Sequence, residues 1–176
     1  MSRSVRALIA GIIVVGSLAG CGSGTSASSL LGDTKAPAQL LRNEVASRVP
    51  QEVIESLADS VDASEGCGKD GMMRAWRSTQ LMFITPAKAG RLLTVVDGMV
   101  ASLSEQGWAA ESTQPSSKVH EERLTSSRIE SVIRLRAVEA SDDEGHGATI
   151  ELSVTGPCVM TDGPDSDEVK RLEGRD

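Results

Sequence analysis

Apolar residues recur along this chain at two different spacings. From Ala38 onward, Leu41, Val45, Val49, Val53, Leu57 and Val61 stand four residues apart, with Leu40 and Ile54 beside the same stripe. This predicts an amphipathic helix, kinked or split where Pro50 removes a backbone donor. Met73 to Thr85 reads as a strand with the apolar end Leu81-Met82-Phe83-Ile84. Thr85-Pro86 then opens a second helix, since threonine can cap it and proline is tolerated in its first turn. The stripe Ala89, Leu92, Leu93, Val96, Met99, Val100 and Leu103 gives that helix a buried face, and Gly107 is placed to end it in a left-handed conformation. After Trp108 the period drops to two. Ile129, Ser131, Ile133, Leu135 and Ala137 alternate with Glu130, Val132, Arg134 and Arg136, and Ala148, Ile150, Leu152 and Val154 alternate with Thr149, Glu151 and Ser153. These predict strands with one wet face, joined by the turn Asp142 to Gly147, with an earlier turn at Gln114-Pro115-Ser116-Ser117. The pattern alone leaves Val119 to Thr125 open.

The first 21 residues carry a different signal. Arg3 and Arg6 form a positive start, Ala7 to Ala19 are free of charge, and Leu18-Ala19-Gly20-Cys21 closes the run. A charged start, a short apolar stretch and small residues before a cut site are the pattern of a secretory signal. Thirteen apolar residues fall short of a bilayer about 30 Å thick. With cysteine after the small pair, the segment resembles the lipobox of bacterial lipoproteins. The resemblance implies cleavage before Cys21, a diacylglyceryl group on its thiol and further acylation, of the palmitate type, at the new amino terminus. Cys21 is thus the expected lipidation site, and the expected location is the outer face of the cell membrane. Residues 22 to 35, small and polar, extend it as a flexible tether.

If lipid consumes Cys21, Cys67 and Cys158 remain in an extracytoplasmic setting, and an even pair there favours a disulfide. That bond decides the open strand. With a crossover helix between the Met73 and Trp108 strands, each later hairpin reverses the chain. Only if Val119 to Thr125 is a strand does the last strand deliver Cys158 to the end where Cys67 begins the first. The expected fold is therefore α+β: an antiparallel sheet of about five strands, mixed at one crossover and packed with two helices in two layers. First and last strands are neighbours. The expected division is a signal at 1–20, a tether at 21–35, one domain at 36–160 and a disordered acidic tail at 161–176.

Composition narrows the partners. The chain holds 18 basic and 25 acidic residues, a net charge of −7. Removal of the signal takes two basic residues and leaves −9. Nucleic acid and anionic lipid both require a surplus of Lys and Arg, so neither is an expected electrostatic partner, and attachment to the membrane falls to the covalent lipid on Cys21.

Candidate chemistry is thin. Gly66-Cys67-Gly68-Lys69-Asp70-Gly71 matches the dinucleotide pattern formally, but it is expected to follow a helix and precede a strand, the reverse of what that pattern needs. The two histidines, His120 and His146, lack neighbours at ligand spacing, and His146 beside Asp142, Asp143 and Glu144 reads as a solvated turn. Asp162 to Glu168 lacks the spacing of a calcium loop. Trp76 and Trp108 are expected in the core at strand starts, and Met72-Met73 as gap fillers. Arg128, Arg134 and Arg136 are expected on one solvent face, with Glu130 among them and Glu151 opposite. No catalytic, metal or cofactor residues are assigned.

The layout of lipobox, Gly/Ser tether and small helix-and-sheet domain resembles small lipoproteins of actinobacterial envelopes. The expected role is a non-enzymatic interaction or binding module for an envelope protein or small ligand. The alternatives are a carrier of lipid or another small apolar ligand, and an envelope hydrolase.

Overall fold

A computed structural model describes residues 30–141 and 147–175. The expected signal, Cys21 and the turn expected around His146 lie outside them. The described residues build an α+β fold with one antiparallel sheet. In chain order they form α1 (Leu31–Ala46), β1 (Ile54–Leu57), β2 (Val61–Gly66), β3 (Met73–Ile84), α2 (Leu92–Glu105), β4 (Trp108–Ser116), β5 (Val119–Ser126), β6 (Val132–Val138), β7 (Thr149–Thr155), β8 (Val159–Met160) and α3 (Asp167–Glu173). Short 3-10 helices precede β1 and α2.

The sheet runs β1-β3-β7-β6-β5-β4, with β2 also on the outer flank of β3 and β8 pairing with its start. Val119 begins a strand, and β3 lies antiparallel beside β7, from Arg77↔Thr155 to Phe83↔Thr149. The five strands expected from the sequence are present, and three short ones join them. The sheet is antiparallel at every pairing rather than mixed. The crossover through α2 does return the chain in the same direction, but it sets β4 at the far edge, with three strands between it and β3.

The helix expected between Ala38 and Val61 is corrected at both ends. It begins at Leu31, inside the expected tether, and stops at Ala46. After Pro50 the chain does not resume a helix. It makes one 3-10 turn and becomes the edge strands β1 and β2, in which Leu57 and Val61 are exposed. The face α1 buries is Leu31, Thr34, Ala38, Arg42 and Val45, a helical spacing that includes two polar residues. The expected acidic tail is also corrected: residues 167–173 form α3. Ser166 caps it by accepting from Val169 N–H, and Gly174 ends it in the left-handed region. Val169 is fully buried, so the packed unit extends past both expected limits, 36 and 160.

α2 begins at Leu92, after a 3-10 stretch over Pro86–Arg91, and Thr85 makes no side-chain cap. Gly107, at φ +91°, turns the chain from α2 into β4, as its position predicted. Pro115 lies within β4, at an irregularity in the pairing with β5, and the turn falls at Ser117-Lys118. β6 starts at Val132, three residues later than the alternation suggested.

All three helices are on one side of the sheet. α1 packs on β3 and β7, α2 on β4 and β6, and α3 against α1 and β2. Between them lie Trp76, Met82, Leu135, Ile150 and Leu152, each with no exposed surface. A side chain at Gly156 would come within 3.3 Å of the Thr34 side chain, so glycine lets α1 sit close to the end of β7. Among the described residues, no helix covers the opposite face of the sheet.

Candidate functional site

Cys67 and Cys158 are joined, with Cα atoms 6.1 Å apart. β2 delivers Cys67 to one flank of β3, and the run from β7 into β8 delivers Cys158 to the other. Both residues are exposed. The loop Gly66 to Gly71 connects two strands, not a helix and a strand as expected; it opens no helix, so it lacks the frame that holds a pyrophosphate.

The other sequence candidates scatter. His120 on β5 stands 3.5 Å from Glu139, and among the described residues no three His, Cys, Asp or Glu side chains gather as a metal site. Trp76 is fully buried and Trp108 is 6 % exposed, both in the core as expected, although Trp76 is the fourth residue of its strand. Met72 is partly exposed, and its backbone carbonyl accepts from both the backbone and the side chain of Thr161. Arg128 lies in the bend before β6, away from Arg134 and Arg136.

Two features escape the sequence. The first is a polar cluster beneath α1. Register sets Asp62 of β2 opposite Ser78 of β3, and Ser64 opposite Trp76, on the face that meets the helices. Gln39 of α1 donates to Asp62 Oδ2 at 2.8 Å. Asp62 Oδ1, Trp76 Nε1, Ser78 Oγ and Arg42 Nη1 are buried around the same spot without a partner in hydrogen-bond geometry among the described residues. Burial pushes the Asp62 carboxyl up, but Ser78, Gln39, the Arg42 charge and the Trp76 indole together outweigh burial and hold it below the usual range. Glu173 of α3 closes the cluster's outer side, accepting from Ser64 N–H at 2.9 Å and Ser64 Oγ at 2.6 Å. Burial acts upward on Glu173 too, and these bonds together with Arg175 hold its carboxyl low.

Both depressed carboxyls tie stability to pH in one direction. A group whose pKa is lower in the folded than in the unfolded chain stabilises above its unfolded value, and that contribution disappears as pH falls through the folded value. Wild-type protein should therefore lose stability on acidification through the carboxylate range. Asp62→Asn should be less stable than wild type at neutral pH, with the gap closing as pH falls. Thermal melts of both proteins across that range check this; a gap that does not change with pH would remove Asp62 as the source.

The second feature is the uncovered face of the sheet. Its side chains follow from register: Arg77 and Thr79 on β3, Glu151 and Ser153 on β7, Arg134 and Arg136 on β6, Glu121 and Arg123 on β5, Glu111 on β4. Glu151 does oppose Arg136, as expected, and Glu121 flanks it from the other side. Arg77 pairs with Glu65 at 3.3 Å and Arg123 approaches Glu111 at 4.0 Å. Arg77, Arg134 and Arg136, with Glu121, Glu151 and Ser153, ring a shallow depression of about 170 Å³ at the middle of this face.

Compared with known proteins, the chain matches no family model, no curated protein and no solved structure. The class of the molecule is thus given by its architecture: an α+β fold whose antiparallel sheet is, among the described residues, clothed by helices on one side.

Proposed function

We propose that this protein is a lipoprotein anchored through Cys21 to the outer face of the cell membrane, and that its folded part is a non-enzymatic interaction module. The observation that carries the reading is the ending Leu18-Ala19-Gly20-Cys21 after a charged start and a short apolar run. Among the described residues, no helix is long and apolar enough to cross a membrane. A covalent lipid supplies the attachment that a net charge of −7 does not favour. The module reading draws on the broad sheet face left without a helix. The carrier reading has less support, because Trp76, Met82 and Leu152 fill the space under the middle of α1, and the hollow of about 430 Å³ among Ala46, Val49, Ile54, Leu57 and Met82 lies at the end of the helix beside the edge strand rather than inside the core.

The test is intact mass of the chain extracted from its own membranes, alongside fractionation of Cys21→Ser. The reading requires a chain that begins at an acylated Cys21, with the variant released or held as precursor. A wild-type chain without lipid mass, or a variant cut and retained in the membrane like wild type, overturns it.

A further inference from the structure

We propose that two copies of this chain pair through the uncovered face of the sheet, back to back with their helices outward. The inference goes beyond the membrane reading and does not depend on it.

Charge singles out this face. Four arginines (Arg77, Arg123, Arg134 and Arg136) stand there against four glutamates (Glu65, Glu111, Glu121 and Glu151). The face is neutral, so the whole net charge of −7 lies elsewhere. The net repulsion between two such chains is carried by the rest of their surfaces, and this face adds none of it. A polyanion or a polycation would each meet as many like charges as opposite ones here, whereas a partner with the same alternation can match it.

Register shows that the face matches itself. The sheet is six strands wide if β1 and β2 are counted as one edge, and its midline falls between β7 and β6. The half made by β2, β3 and β7 holds Arg77 against Glu65 and Glu151, a net −1; the half made by β6, β5 and β4 holds Arg123, Arg134 and Arg136 against Glu111 and Glu121, a net +1. A two-fold axis along the strands at that midline lays one half of each copy on the opposite half of the other. β6 then covers β7, β5 covers β3, and residues keep their rows. Because Arg136 and Glu151 are register partners on either side of the midline, each meets the other's counterpart across the interface, and this happens twice. In the neighbouring row Arg134 faces Ser153 and Arg123 faces Thr79; at the sheet's end Phe83, 38 % exposed, faces Val119. No like charges are superposed.

The area is of the right order. Laid flat, six strands at about 4.8 Å and seven residues at about 3.3 Å outline about 650 Å² of face per copy, an upper bound because sheets twist, against the roughly 800 Å² per partner of a standard interface. Two sheets stacked face to face are also an ordinary packing, separated by about 10 Å.

The test co-expresses two differently tagged full-length copies and captures one from detergent-solubilised whole cells, so that the outcome does not depend on where the chain resides. Wild-type copies should retain each other. Arg136→Glu paired with itself, and Glu151→Arg paired with itself, should each lose about tenfold in co-capture, since both contacts then join like charges. Arg136→Glu paired with Glu151→Arg should recover it, because every contact across the interface again joins opposite charges. Recovery in the mixed pair also shows that both variants fold. Wild-type copies that do not retain each other overturn the proposal. So does co-capture that ignores the single reversals, or a mixed pair that stays apart.

Discussion

Replacing both Cys67 and Cys158 by serine is expected to lower the free energy of unfolding by about 4 kcal/mol and the melting temperature by roughly 10 °C. The two residues are 91 positions apart. In the chain-entropy account, cross-links around a 15-residue and a 100-residue loop stabilise by about 3 and about 4.7 kcal/mol. This loop encloses β3, α2 and β4 to β7, so closing the bond removes the entropy of a long loop from the unfolded chain. Both cysteines are exposed, so the double substitution removes the cross-link with little loss of packing. Denaturant midpoints of the variant, and of wild type with and without reductant, give the value. Reduced wild type should behave as the variant does, and a variant as stable as oxidised wild type would mean that the unfolded chain is not constrained by this bond.

Trp76→Ala should cost about 3–5 kcal/mol, the usual range for emptying a fully buried tryptophan site. That is a large fraction of the roughly 5–15 kcal/mol that holds a domain of this kind together. The position also predicts where the damage spreads. Lys35 of α1 lies 4.5 Å above the Trp76 ring, and its ammonium donates to the Leu172 carbonyl of α3 at 2.9 Å. Without the ring, Lys35 loses the cation–π contact that steadies it, and α3 loses part of its hold. Amide exchange at Val169 to Leu172 should accelerate more in Trp76→Ala than in Trp108→Ala, which empties a core site under α2. Equal exchange in the two variants would sever α3 from the tryptophan.

The long strands are readable in the sequence because their two faces differ. Ile133, Leu135 and Ala137 alternate with Arg134 and Arg136, and only a period of two explains that. The cysteines add the long-range step, since a bond between Cys67 and Cys158 places β3 next to β7. The stripe from Leu41 to Val61 misleads for a definite reason. A spacing of four is also a multiple of two, so it cannot by itself separate helix from strand. Pro50, followed by Val53 and Ile54, both β-branched, is the local hint that the helix ends. The start of α1 is hidden because Thr34 and Arg42 occupy buried positions, where polarity suggests a loop. α3 is hidden by composition alone. Ser166 at its cap, Asp167 and Glu168 in its first turn, Lys170 and Arg171 in its last and Gly174 beyond spell out a helix once net acidity is set aside. Neither the Asp62 cluster nor the balanced open face is visible before register is known, because each joins residues from strands far apart in the chain. Register is a property of pairing, and one strand's sequence does not contain it.

The connection of β3 to β7 also sets the order in which this molecule can be built. β7 lies inside the sheet, between β3 and β6, yet it is the last of the long strands to be synthesised. Gly32 of α1 waits for Glu168, and Ser64 of β2 for Glu173, partners 136 and 109 positions later. A chain emerging amino terminus first therefore meets α1, β1, β2 and β3 with nothing on the inner flank of β3 to pair with, and α1 without its docking helix. Loop closure over such separations is slow. The inner flank of β3 and the docking of α1 therefore wait until nearly the whole length has been delivered, although the β4-β5-β6 hairpins can pair before that.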